Sequence, residues 1–195
     1  IGIADHNAVE NFPAFFEAAE GNPVVLPCIE TQTAEDIHVL CVFGDYKIAL
    51  EYKEWLWERI MPIKNNAEKF GYQLIIDKEN NLIGEEETYL IQGAGYEVDQ
   101  IVAKVRSMNG LAIPAHIDRP SFSYPIVLGP LPQNYPADAF ELSRRTDHDK
   151  AEQFRAEYPG RTFIRSSDSH TLATLSRANC TKMYLEEPTF DEIKL

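Results

Sequence analysis

Cysteine is scarce in this chain of 195 residues. Cys28, Cys41 and Cys180 show no CxxC spacing and are odd in number. That excludes a thiolate zinc finger and predicts buried free thiols in a reducing compartment. Long hydrophobic runs are also missing. None reaches the roughly 18 apolar residues that span a bilayer, and no signal-peptide pattern opens the chain. The expectation is a soluble, cytoplasmic protein with no membrane partner. Basic residues are few: 18 Lys and Arg stand against 31 Asp and Glu, for a net charge of -13. Such a surface repels long polyanions, so no general nucleic-acid binding is expected. It weighs less against a small phosphate ester, because bound divalent metals reverse the local field. There is no internal repeat and no low-complexity linker.

What is present is an apolar content of 44%, enough for one globular domain with a substantial core. Ile1 to His6, Val24 to Glu30, Ile37 to Phe43, Leu111 to Ala115, Ala139 to Leu142 and Thr162 to Ile164 read as strands. Thr181 to Leu185 reads as another, and Gln73 to Ile83 as a small hairpin around Asp77-Lys78-Glu79-Asn80. Helical periodicity covers residues 10–19, 46–60, 98–108 and 150–158. Glu85 to Glu87 reads as a solvated helix start, and Phe190 to Glu192 as a further one. Trp55 and Trp57 lie about 200° apart on their helix, so they cannot both face the core. Strands and helices mostly alternate, which predicts an α/β fold.

Five apolar runs carry a residue of metal-ligand type at or beside one end. His6 follows Asp5 in IADHN, Glu30 closes VVLPCIE, His38 opens IHVLCVF, His116 follows LAIPA, and Asp168 and His170 lie in SSDSH. At i, i+2 spacing the last two can face one side of an extended segment. Imidazole nitrogen with carboxylate oxygen, and no thiolate, suits zinc, manganese or iron. Singly, each histidine reads equally well as a hydrogen-bonded core residue, and Glu30 as a capped loop carboxylate. Jointly they predict one metal centre at converging strand ends. His148, in RRTDHDK, sits in a polar stretch and reads as a surface residue. Arg119, Arg144, Arg145 and Arg165 follow or flank strand ends and are candidates for phosphate contact, Arg119 foremost.

This pattern resembles the polymerase and histidinol phosphatase (PHP) domain family. IADHN is similar to that family's second motif, with Ala4 in place of Thr; CIE with His38 eight residues on resembles its Glu and His positions. PAHIDR resembles the third-motif histidine, and SSDSH the final Asp-x-His. The family's first motif, His-x-His on the first strand, is absent. The resemblance implies a distorted seven-stranded (β/α) TIM-like barrel, incomplete at the N-terminus, in a single domain over 1–195 with residues 44–110 inserted between barrel strands. It implies up to three divalent ions held by His6, Glu30, His38, His116, Asp168 and His170. Asp5, His170 and Arg119 are the expected catalytic residues. The chain opens in mid-strand at Ile1, so truncation is expected, and an open barrel edge would then pair a second copy.

The resulting expectation is a metal-dependent phosphoesterase. It would hydrolyse a phosphomonoester or short nucleotide through metal-activated hydroxide. The alternative is a catalytically inactive PHP domain that binds or assembles, since two first-motif ligands are lacking. A metal-dependent hydrolase acting on amides fits the ligand chemistry, though the motif order fits it less well.

Overall fold

The structure is a computed structural model and describes residues 1–194. Leu195, the last residue of the predicted domain, lies outside them. In chain order the elements are β1 (Gly2–His6), α1 (Phe12–Ala19), β2 (Leu26–Gln32), β3 (His38–Val42), α2 (Tyr46–Trp57) and α3 (Ala67–Phe70). They continue with β4 (Leu74–Ile76), β5 (Leu82–Glu85), α4 (Val98–Ser107), β6 (Leu111–Pro114) and α5 (Tyr124–Leu128). Last come β7 (Phe140–Leu142), α6 (His148–Glu157), β8 (Phe163–Arg165), two 3-10 turns and α7 (Phe190–Lys194). The fold is mixed α/β, and no helix among the described residues is long and apolar enough to cross a membrane.

The main sheet has the order β1-β2-β3-β6; β4 pairs with β5, and β7 with β8. None of these sheets closes into a barrel among the described residues. β1 and β2 are parallel, while β3 runs antiparallel to both β2 and β6. Hence the C-terminal ends of β1, β2 and β6 share one edge with the N-terminal start of β3. This direction of β3 explains why His38 sits at the opposite end of its run from the other ligand-type residues.

Side-chain alternation then sorts the sheet into two faces. On one face Ile29, Val39, Cys41 and Ala112 pack with Ala49, Tyr52 and Leu56 of α2 and Ile101, Val102 and Val105 of α4 in the main core. On the other, Cys28, Val42, Leu111 and Ile113 meet Ala139 and Phe190, with Ile164 of β8 packed alongside. One long connection, from β3 to its antiparallel neighbour β6, shapes this arrangement. α4 ends on Asn109 at φ +62°, and the Gly110 amide returns to the Val105 carbonyl at 3.0 Å. A Cβ on Gly110 would lie 2.9 Å from the Phe43 ring, so only glycine lets β6 follow so closely. The segment between β3 and β6, which are sheet neighbours, carries α2, α3, the β4–β5 hairpin and α4.

The opposed tryptophans both find partners. Trp55 stacks on Tyr96 at 3.9 Å, and Trp57 donates its indole N–H to the Asn7 carbonyl at 2.8 Å.

Four expectations fail locally. Glu85 to Glu87 is no helix start: β5 runs to Glu85, and the Gln73 side chain holds the next residues extended by donating to the Glu86 and Thr88 carbonyls. Thr181 to Leu185 is not a strand. Its Thr181 hydroxyl exchanges hydrogen bonds with the Arg165 backbone instead, and Met183 and Tyr184 are left exposed. Cys28 and Cys41 are buried, but Cys180 is exposed because it lies in that same irregular segment. In α1, where the periodicity puts Phe12, Phe15, Phe16 and Ala19 on one apolar face, only Phe12 and Ala14 are buried, and Phe15 and Phe16 are exposed.

Candidate metal centre

His6 pairs in register with Glu30, and Glu30 with Leu40, so His38 lies diagonally across from Glu30 on the same face. The Glu30 carboxylate is the hub. Its Oε1 lies 3.1 Å from His38 Nδ1 and 3.5 Å from His116 Nε2, and its Oε2 lies 3.4 Å from His6 Nδ1. The ring centroids of His6 and His38 are 5.2 Å apart, and those of His38 and His116 are 5.3 Å apart. Phe122 stacks on His38 at 4.7 Å, closing that side.

His116 reaches this face against the alternation of β6. Leu111 and Ile113 point to the site's face, so an extended continuation would send His116 the other way. A φ of +33° at His116 breaks the alternation. That conformation is uncommon for a residue with a Cβ and is maintained only where the surroundings over-determine it.

Burial pushes the Glu30 carboxyl up. The His116 and His38 imidazoles beside it pull harder, His116 as a near neighbour rather than a formed bond, and hold it well below the usual carboxylate range. Burial lowers His6, against the pull of Glu30, and so favours its neutral form. An ionised Glu30 carboxylate and a neutral His6 imidazole are the protonation states that divalent cations require.

The donor set fits such an ion on independent grounds. His6 Nδ1, His38 Nε2 and both ring nitrogens of His116 are buried without a hydrogen-bond partner. Unsatisfied buried polar atoms are costly and call for an explanation. Ligand atoms of His6, Glu30 and His38 all lie within 4.8 Å of one another, close enough for one ion.

The remaining sequence candidates sit around this core. Asp168, at φ +44° after β8, receives Arg119 Nη1 on Oδ2 at 2.8 Å. His170 is mostly exposed; its Nδ1 is 3.5 Å from Asp168 Oδ1, and its ring is 6.4 Å from that of His6. Asp5 alternates to the main-core face and accepts from Asn11 Nδ2 at 3.2 Å. Burial raises its pKa despite that bond. His148 is exposed at the first turn of α6. Arg165 is turned onto the Thr146 carbonyl at 2.6 Å, while Arg145 is exposed and Arg144 half-buried.

Two residues at the site carry no sequence signal of metal-ligand type. Asn7, in the IADHN string, is fully buried at φ +50°. Its side chain bonds the Leu90 and Gln92 carbonyls and the Gln32 N–H, tying the segment between β5 and α4 to the β1 end. Glu141, on β7, is 5% exposed. Its Oε2 accepts the His116 N–H at 2.9 Å, and its Oε1 accepts from Ser166 Oγ. Burial raises its pKa against those two donors. The alternation of β7 was the available signal: Phe140 and Leu142 belong to the main core, so Glu141 must face the other way.

No family model and no curated protein matches the chain. Solved structures do share its fold. The lesion-specific endonuclease Q of Pyrococcus furiosus aligns with a TM-score of 0.54 and 17% identity, over 88% of this chain and 37% of that one. An endonuclease Q complex with a 27-mer duplex, with an abasic lesion at the active site, gives 0.55 and 18%, over 88% and 38%. A protein of Bifidobacterium adolescentis, assigned as a metal-dependent phosphoesterase, gives 0.53 and 15%, over 87% and 77%. This chain thus spans well under half the length of the endonuclease Q chains. The expectation of no general nucleic-acid binding is overturned, because a structure of this fold holds a DNA duplex at its active site. Net charge was the wrong quantity to argue from. Residues 1–115 hold eight Lys or Arg against nineteen Asp or Glu, whereas residues 116–182 hold nine against eight, with seven of the nine arginines. The local field over a surface, rather than the total charge, governs association with a polyanion. At these identities the likeness is one of fold.

Proposed function

We propose that this chain is a PHP-type domain that hydrolyses phosphoesters with divalent metal. The observation that carries the proposal is the set of three imidazoles gathered round the Glu30 carboxylate with their buried nitrogens unpartnered. Fold likeness alone does not fix a function, but the endonuclease and phosphoesterase neighbours support this one. In this reading the four-stranded sheet and the β7–β8 pair are parts of a distorted seven-stranded barrel, and residues 44–110, with the β4–β5 hairpin, are its insertion within a single domain.

His6, Glu30, His38 and His116 would hold the metal from the main sheet, with Asp168 and His170 completing the set from the β8 side. Zinc, manganese and iron suit these donors. Bound divalent ions supply a nucleophile near neutral pH and a Lewis acid for a phosphoryl oxygen. Arg119, half-buried beside Asp168, orients a non-bridging phosphate oxygen through its guanidinium fork. His170 is exposed and, where it is not fully engaged by metal, would move a proton to or from the leaving group. Asp5 acts through the backbone of β1, orienting His6 beside it. Phe122 over His38 keeps water from that ring.

The test is metal content by elemental analysis on the purified chain, with hydrolysis assayed on p-nitrophenyl phosphate, on its bis-ester and on a duplex containing an abasic site. Bound metal with metal-dependent cleavage of any of the three supports the proposal, and the substrate cleaved names the ester class. A folded chain that binds no zinc, manganese or iron overturns it in favour of a binding or assembly module.

A further inference from the structure

We infer that Glu141 is a positioning residue of the metal centre, a strut that fixes the direction of the His116 ring and ties the β8 loop to the main sheet. The inference rests on the metal-centre reading above, and nothing in that reading assigns Glu141 a part.

Four observations carry it. First, His116 needs an unusual backbone to aim its ring at Glu30: φ is +33° at a position where strand alternation points the side chain away. Something must hold that peptide in place. Second, the group that receives the His116 N–H is the Glu141 carboxylate, at 2.9 Å. The next amide, Ile117 N–H, bonds the Glu141 carbonyl at 2.9 Å. Both peptides flanking the turn are therefore held by one residue of β7. Third, β6 and β7 share no ladder, since β7 pairs only with β8. Together with the Asp138 N–H on the Ala112 carbonyl and the Ser143 N–H on the Asp118 carboxylate, these two bonds join the sheet that presents His6, Glu30, His38 and His116 to the pair of strands that leads to Asp168 and His170. Fourth, the other carboxylate oxygen accepts from Ser166 Oγ, two residues before Asp168. One side chain, 5% exposed, thus spans both halves of the site.

A buried carboxyl group that no Lys or Arg pairs among the described residues is a costly way to satisfy one amide and one hydroxyl. Outer groups that orient metal ligands carry such costs because loosening them weakens the metal. Glu141 bonds the His116 main chain rather than its ring, so it acts on the ligand's direction.

Length, not charge, is then the property that matters. Gln keeps the reach: its carbonyl accepts the His116 N–H and its amide donates to Ser166 Oγ. Asp keeps the charge and loses the reach. The experiment strips the purified chain with a chelator and titrates it with Zn²⁺ by calorimetry, for wild type, Glu141→Gln, Glu141→Asp and Glu141→Ala. Circular dichroism confirms that each is folded, and amide exchange is followed over residues 115–118. Glu141→Gln is expected to bind within about threefold of wild type with His116 still protected. Glu141→Asp is expected to weaken binding about 10–100-fold with faster exchange, as for outer-shell losses generally. If Ala does not fold, the Gln and Asp pair decides. Asp binding more tightly than Gln, or Ala binding like wild type, overturns the strut and leaves the metal centre standing. A wild-type chain that takes up no Zn²⁺, Mn²⁺ or Fe²⁺ overturns the centre, and the inference with it.

Discussion

The two halves of the candidate site are built differently. On the main sheet, His6, Glu30 and His38 are placed by strand register, and His38 and His116 are buried. On the β8 side, Asp168 and His170 follow a strand of three residues on irregular backbone, and His170 is exposed. Register places the first group; individual side-chain bonds, Arg119 to Asp168 and Glu141 to Ser166, place the second. The contrast suggests a division of labour. A rigid sheet edge suits ions that must stay, while a looser loop suits groups that must admit and release a substrate.

The largest expected effect is on the sheet side. Glu30→Gln removes the one charge that three imidazoles share, and bound metal measured by elemental analysis should fall more than the about 10–100-fold of an outer-shell change. Metal retained at the wild-type level would mean that Glu30 is not the hub. Next comes Asp168→Asn. The sheet ligands remain, so some metal should stay bound while phosphoester turnover drops. Because the Arg119–Asp168 pair is about one-third exposed, the folded state should lose no more than about 1 kcal/mol in a urea titration. Equal loss of metal in the Glu30 and Asp168 variants would erase the distinction between the halves.

Thiol labelling compares the regions without any substitution. Cys28 and Cys41 lie in the sheet, and burial pushes their thiols up to about 12 and about 11. They stay protonated as well as shielded, so raising the pH from 7 to 9 should not expose them to a maleimide. Cys180 is exposed on the β8 side and should react at once, with the other two reacting only on unfolding. Three fast thiols would mean a loose sheet. The smallest effect is the control: His148→Ala alters an exposed helix start and should change metal content, turnover and melting temperature within error.

Much of this architecture is legible in the chain. Short apolar runs closed by His6, Glu30 and His116 mark strand ends because a buried strand reads as a continuous apolar segment. The β4–β5 hairpin and α4 follow from local turn and cap chemistry. What the pattern misplaces are segments whose partners are remote. Glu85 to Glu87 looks like a helix start until Gln73 holds it extended, and Thr181 to Leu185 looks like a strand until the Thr181 side chain, rather than the backbone, takes up the Arg165 N–H and carbonyl beside it. The acidic total hid a chain whose charge is unevenly spread, and so led the partner expectation astray.

The sequence by itself determined the kinds of donor and their spacing along the chain: imidazole and carboxylate, no thiolate, one or two at each strand end. Tertiary structure decided which of them meet. The reversed direction of β3 brings His38 to the common edge, and a left-handed residue turns His116 toward Glu30. Glu141, an ordinary strand residue by pattern, becomes a link between the two halves of the site. Local residue pattern sets which face a side chain takes, but pairing direction and long-range hydrogen bonds set which faces come together, and those depend on residues far apart in the chain.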